Sequence, residues 1–468
     1  TIIIAIISAI GITRININDN PVKWFDEDHE IRVADRVLNE HFGGTYLAYL
    51  VFEQDRENKA YFDQYYNDMM DRLNLLIEDF GFEGLPIVEE VKTQIEEMYH
   101  GQDSAANCCL TVFHEKVAEL IEGLEERHVG DEDASDFLYE MTYFWDDEKL
   151  YTETFKQPEL LTYIDELESY MTTVGAGKSS SVATIVKKVY QELRGGEPEF
   201  FTVPNSAKAV GESLIQYQNS HRPNDLWHFV NTDYTKINVW VQLKSGDNQH
   251  MIRLEEAVNE YIQDNPPPIP VKHSWAGLTY INVTWQKKMV RGMMNALASS
   301  YVVVLIMMVI LFRSVLWGIL SMIPLTVTIG FIYGFIGFIG KDYDMPVAIL
   351  SSLTLGLSVD FAIHFLERSR ELFKEEKSWQ RVAVRMFHEP ARAIARNIIV
   401  IALGFLPLLL SQLVPYQTVG FFLSAIMLVS GVGTLFILPA IVKLLQQRLF
   451  KSYLAVHVER ESLADEEA

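Results

Sequence analysis

Residues 345–366 read MPVAILSSLTLGLSVDFAIHFL, and Asp360 is the sole acidic or basic residue among these 22 positions. A run this long and apolar crosses a bilayer as a helix. A carboxylate near its middle costs at least about 2.5–3.5 kcal/mol on insertion scales. Such a residue ordinarily faces a bundle interior and relays protons or ions. The alternative is a structural carboxylic acid, hydrogen-bonded between helices. His364 lies four residues on, so it shares a helix face with Asp360. A carboxylate and an imidazole one turn apart can hand a proton along that face. His364 also sits near the end of the run, where an interfacial polar side chain reads equally well.

Further spans flank this stretch. Residues 292–312 and 314–340 carry no charge over 21 and 27 positions. Residues 397–442 carry none over 46, enough for two spans, with Pro415 and Tyr416 marking the turn between them. Residues 1–12 (TIIIAIISAIGI) are apolar but too short to cross, and read as the outer end of a first helix. The expected count is therefore one truncated span, a large polar domain, then five spans. Orientation follows from basic residues beside the spans. The stretch after the Asp360 run carries eight, from Arg368 to Arg396, whereas residues 341–344 carry one and 413–416 none. The eight-basic stretch is expected in the cytoplasm, with the C-terminus, and residues 13–291 on the opposite side.

Charge divides the chain in the same way. From residue 296 onward there are 14 basic and 13 acidic residues, so almost all of the net charge of −24 lies before it. An acidic water-facing portion repels phosphate and argues against nucleic acid as a partner. The two cysteines, Cys108 and Cys109, are adjacent. They offer neither a disulfide framework nor metal-ligand spacing, and read as packed apolar residues.

Residues 13–291 alternate between two kinds of pattern. A helix is expected near 29–41, a strand at 44–52 (GTYLAYLVF), and a largely helical insertion over 55–195. Within the insertion, helices are expected at 86–99, 105–127, 134–145 and 158–172. Residues 175–181 (GAGKSSS) read as a flexible joint; they lack the first glycine of a phosphate-binding loop. A strand at 234–243, a helix at 251–263 and a strand at 276–285 complete an α+β layer. The expected fold class is a membrane protein: an α-helical six-span bundle with a large α+β extracytoplasmic domain carrying a helical insertion. The expected domains are 1–12, 13–291, 292–450 and an acidic tail at 451–468.

Small residues recur in the spans. Gly330 and Gly334 form a GxxxG pair, and Gly356 precedes Asp360 by one turn. Such residues let helices approach closely in lipid, and they are expected to pack the bundle around Asp360. His228, His250 and His273 are scattered without ligand spacing, so neither a metal nor a cofactor is expected, and no nucleophile–base set points to an enzyme.

The stretches LFRSVLW (311–317), GLSVDFAIHFLERSRE (356–371) and AIARNIIVIALGFLP (393–407) resemble one half of an RND-superfamily transporter, nearest to the MMPL-like exporters. YTKINVWVQLKSGD (234–247) resembles the porter domain of the same family. The resemblance implies a proton-motive-force-driven exporter of lipids or other amphiphiles in the inner membrane. It places proton uptake at Asp360, with 13–291 periplasmic. It also implies membrane lipids, a hydrophobic substrate, a second six-helix half or a homo-oligomer, and a periplasmic accessory protein as partners. Many relatives carry Tyr or Asp beside that aspartate; here Phe361 stands there and offers no hydrogen-bond donor. The acidic tail favours the C-terminal half of a longer protein. The rival readings are a sterol-sensing-like lipid-binding or scaffold protein and a SecD/SecF-type translocation subunit.

Overall fold

The computed structural model describes residues 2–55, 58–101, 110–388 and 390–450. Cys108, Cys109, the expected helix start at 105 and the tail at 451–468 lie outside the described residues. The chain forms two compact units. One comprises Thr1–Val37, Gly246–Gln249 and Asn282–Ala468; the other comprises Leu38–Ser245 and His250–Ile281. The chain opens with α1 (Ile2–Ile12) and α2 (Glu30–His41).

The second unit is built on a four-stranded antiparallel sheet of β1 (Tyr46–Gln54), β2 (Ala176–Ser180), β3 (Lys236–Leu243) and β4 (Val271–Ala276), in the order β2-β3-β1-β4. Leu50 pairs with Val239 on one side and Trp275 on the other. Alternation fixes this register: Ala48, Leu50 and Phe52 of β1 and Ile237, Val239 and Val241 of β3 are all buried. A one-residue slip would turn each of these toward the opposite face.

Between β1 and β2 lies the helical insertion: α3 (Lys59–Phe80), α4 (Pro86–His100), α5 (Leu110–Arg127), α6 (Glu132–Thr152) and α7 (Pro158–Thr173). The Asn58 side chain caps α3 at the Tyr61 amide, and Gly81 ends it in the left-handed region at φ 73°. Proline opens α4 and α7, where its missing N–H costs nothing. Phe62, Met69, Leu73, Val91, Phe113 and Phe137 share one core across α3–α6. Each buried side chain of this size contributes roughly 1.5–3 kcal/mol.

A polar network crosses that core. The Arg72 guanidinium donates two hydrogen bonds to Glu148, both at 2.7 Å, and the Tyr65 hydroxyl donates to the same carboxylate at 2.9 Å. With its proton spent there, Tyr65 Oη accepts from His114 Nε2 at 2.6 Å. The imidazole is thus the neutral Nε2–H tautomer, which matches the unpartnered, buried Nδ1. Burial, with Lys149 nearby, pulls the His114 pKa down to about 3.

The sequence 175–181 is not a joint, because Ala176–Ser180 forms edge strand β2. Gly175, at φ 124°, provides the sharp entry, and Ser179 and Ser180 pair with Val241 and Trp240. Ser181 then caps α8 (Val182–Leu193) by accepting from the Ala183 amide at 3.0 Å. At this corner Thr184 Oγ1 donates to Glu168 Oε2 at 3.2 Å, while Glu168 Oε1 is buried without a partner. Burial pushes the Glu168 carboxyl up to about 7, against hydrogen bonds from Ser181 and Thr184. Helices α9 (Ala207–Gln218) and α10 (Asn248–Asp264) follow.

The expected strand at 276–285 is also corrected. The strand lies earlier, at β4, and Gly277 (φ 95°) ends it before α11 (Leu278–Phe312) begins. Leu278, Ile281 and Trp285 recur every three or four residues, a helical spacing that the local alternation masked.

Among the described residues, five helices are long and apolar enough to cross a membrane. They are α11, α12 (Val315–Ile339), α13 (Met345–Glu376), the segment Pro390–Leu410 containing α15 (Pro390–Phe405), and Val414–Leu449. Amphipathic α14 (Trp379–His388) lies between α13 and α15. Segment Val414–Leu449 is α16 (Val414–Val432), one π turn at Gly433–Ile437, and α17 (Leu438–Leu449). Pro415 and Tyr416 lie inside the first turn of α16, so the reversal falls slightly earlier, at 411–413. Helix α1 has 11 residues, fewer than a span needs.

Candidate functional site

Helix α13 is anchored at its start. Asp344 Oδ1 accepts from the Val347 amide at 3.1 Å, and Lys341 Nζ reaches Asp344 Oδ2 at 2.7 Å. From there the helix is sorted by face. Leu350, Leu355, Val359, Ala362, Phe365 and Leu366 are buried in the core of the unit, packing toward α12 and α16. Leu353, Gly356, Asp360, His364, Glu367 and Glu371 recur at three- and four-residue spacing and are exposed. Asp360 and His364 therefore stand on one uncovered face, one turn or about 6 Å apart along the axis. Among the described residues neither side chain has a hydrogen bond or ion pair within the unit. Phe361 turns inward and is buried at 2% exposure. A cavity of about 440 Å³ lies beside His364, bounded by Phe361, Arg368, Ile394 and Asn397.

The three glycines separate into two roles. A methyl group on Gly334 would come within 2.6 Å of the Ser8 Cα, and one on Gly330 would sit 4.0 Å from Ser8 Cβ. Gly334 therefore lets the backbones of α1 and α12 approach closely, whereas Gly330 faces α1 with room for a methyl group. Gly356 meets nothing within 4 Å and lies on the open face with Asp360.

Sequence reading missed two further features. Ser430 Oγ donates to the Ser358 carbonyl at 3.3 Å, and the Ser358 and Thr434 hydroxyls are buried without partners. Hydroxyls in a mid-span helix give little signal, since each can bond back to its own helix. The second is a polar clasp at residues 16–24. Asn16 and Asn18 donate to the two oxygens of Asp342, each at 2.9 Å. Asn20 and Lys23 both donate to Asp247 at 2.9 Å. The Trp24 indole donates to Asp19 at 3.1 Å, yet burial, with Asp344 nearby, raises the Asp19 carboxyl above its ordinary range. The Asn-rich run ININD was the visible signal.

His273 bonds Asn259 and His250 bonds the Gly175 carbonyl, so neither acts as part of a cluster. Among the described residues no group of three or more His, Cys, Asp or Glu could hold a metal.

The MMPL family profile matches residues 159–460. Membrane protein MJ1562 of Methanocaldococcus jannaschii is 25% identical over 260 residues, covering 55% of this chain and 64% of its own length. A protein named for transport, MmpL2 of Mycobacterium tuberculosis, is 25% identical over 190 residues, 40% of this chain and 20% of its own. The apo-petrobactin exporter of Bacillus anthracis is 28% identical over 153 residues, 31% of this chain and 20% of its own. The chain thus spans less than two thirds of each of these relatives. With its profile match over most of the chain and its five apolar spanning helices, the chain belongs to the MMPL family and is a multi-pass membrane protein.

Proposed function

We propose that the chain is one half of a proton-motive-force-driven exporter of lipids or other amphiphiles, with Asp360 as the group that takes up the proton. One observation carries this reading: the sole acidic side chain in the apolar stretch of α13 stands on an uncovered face. A bare carboxylate facing acyl chains is costly. A covering partner, either a second six-helix half or another copy, removes that cost and encloses Asp360 and His364 together. Protonation then neutralises the carboxylate inside the interface, and deprotonation restores the penalty, so the proton load biases how α13 packs. Export as the activity is supported by the relatives named for transport and export. The lipid or amphiphile as cargo rests on the family resemblance alone. The orientation, with 13–291 outside the cytoplasm and the C-terminus inside it, is supported by the basic residues that follow Asp360.

The test uses the full-length protein in liposomes with a pH gradient, a lumenal pH dye and a fluorescent short-chain phospholipid. Asp360→Asn removes the titratable group while keeping shape and insertion. It is expected to abolish gradient-driven movement of the lipid and the coupled proton flux. Movement at the wild-type rate in that variant refutes the assignment.

A further inference from the structure

The second unit holds a cleft of about 650 Å³ between α3, α6 and the first turns of α7 and α9. Nothing in the reading of Asp360 uses it. The volume lies within the ordinary range for a small-molecule site. Part of its wall is apolar and aromatic: Leu75 and Phe80 are 58% and 55% exposed, and Phe144 and Tyr151 line the opposite helix. Those α3 residues lie off the core face, where Phe62, Met69, Leu73 and Ile77 are buried. Their exposure beside a concavity is what a ligand wall requires, since single exposed apolar residues need no explanation but a lined cleft does.

Charge decides the class of ligand. The lining contains two cations and four carboxylates. Both cations are occupied. Arg72 forks onto Glu148 and lies over the Tyr151 ring at 4.7 Å, and Lys208 Nζ sits 2.8 Å from Asp147. The remaining carboxylates, Asp79 and Glu159, have no side-chain hydrogen bond or ion pair among the described residues. Glu159 also fills the first turn of α7, which already complements the positive end of that helix. An anion entering the cleft would meet a lining whose four carboxylates outnumber its two cations. A cation would meet those charges and an aromatic wall, which attracts positive charge through the ring faces.

We propose that this cleft binds a lipophilic cation: the apolar body lies against Leu75, Phe80 and Phe144, and the positive centre lies between Asp79 and Glu159. The binding stands on the cleft alone; that the bound cation is cargo rests on the transport reading.

The test compares two ions of the same shape and opposite charge, tetraphenylphosphonium and tetraphenylborate. Each is titrated calorimetrically into the full chain in lipid nanodiscs, with the heat of empty nanodiscs subtracted. The phosphonium is expected to saturate at one site per chain and the borate not to bind. Both carboxylates are exposed, so D79N/E159Q stays folded, with a melting point lowered only slightly by the loss of Glu159's charge at the start of α7; it is expected to weaken phosphonium binding about tenfold or more. D360N is expected to bind as the wild type does, which separates this site from proton coupling. Equal binding of the borate, or an unchanged affinity in D79N/E159Q, overturns the proposal.

Discussion

Glu168→Gln tests whether a buried carboxyl governs one corner of the second unit. Glu168 is 6% exposed, and its carboxyl is pushed from 4.5 up to about 7. A shift of that size corresponds to about 3 kcal/mol of difference between the two protonation states. The folded state holds the proton more tightly than the unfolded one. The favourable contribution is therefore complete below pH 4.5 and lost as pH rises through about 7. Above that, the fold carries an ionised carboxylate among Ser181, Thr184 and Asp165. Glutamine keeps the shape and still accepts from Thr184, but never ionises. The variant is expected to match the wild type at pH 5. At pH 8 it is expected to be more stable locally by up to about 3 kcal/mol, which slows amide exchange by about a hundredfold. Hydrogen exchange read by mass spectrometry on peptides covering 158–193 measures this. Comparing variant and wild type at each pH cancels the intrinsic exchange rate. A protection ratio that is the same at pH 5 and pH 8 refutes the reasoning.

His114 predicts the opposite slope in the neighbouring bundle. Its pKa falls from 6.5 to about 3, so the unfolded state binds the proton first and stability is lost as pH drops below 6.5. Protection in peptides from 110–127, taken relative to the intrinsic exchange rate at each pH, should fall between pH 6.5 and 4, and His114→Phe should flatten that dependence. Arg72→Met leaves Glu148 buried with only Tyr65 as donor. It should cost about 3 kcal/mol, the low end for a broken buried pair because the Arg72 side chain is 33% exposed, and Arg72→Met with Glu148→Gln should recover part of the loss in thermal melts. Gly334→Val should unseat α1 from α12, lowering the melting temperature in detergent, because its first carbon would meet the Ser8 backbone. Gly356→Ala faces open space within the chain and, as the better helix former, alanine there should raise the melting temperature slightly.

The spanning helices were readable because long uncharged runs have few alternatives in water. The strands at 44–52 and 234–243 were readable because each is half-buried and alternates. The errors share a cause. Residues 175–181 contain small polar residues with no side-chain alternation, so their strand character comes wholly from pairing with β3. Residues 276–285 alternate locally, yet from Leu278 they form the start of a helix, and the positive φ of Gly277 marks the boundary. Asp360 stood out by rarity, whereas the partners of buried groups did not. Arg72 and Glu148 are 76 residues apart in sequence, and Asn18 and Asp342 are 324 apart. No local pattern announces contacts at that separation. The GxxxG pair showed that two helices meet closely, but not that the partner is α1.

The π turn at Gly433–Ile437 changes the arithmetic of the last span. One additional residue in a turn advances every later side chain by about 100° about the axis relative to an unbroken α-helix. The apolar stripes of Val414–Val432 and Leu438–Leu449 are consequently phased independently, although the two segments form one continuous rod. Gly433 seats this widened turn beside Pro324, a residue that itself lacks an amide proton inside α12. Two facing helices thus each relax their hydrogen-bond ladder at the same depth. Each half of the rod can therefore present its own stripe of side chains to its own neighbours, which a single uninterrupted helix of that length could not do.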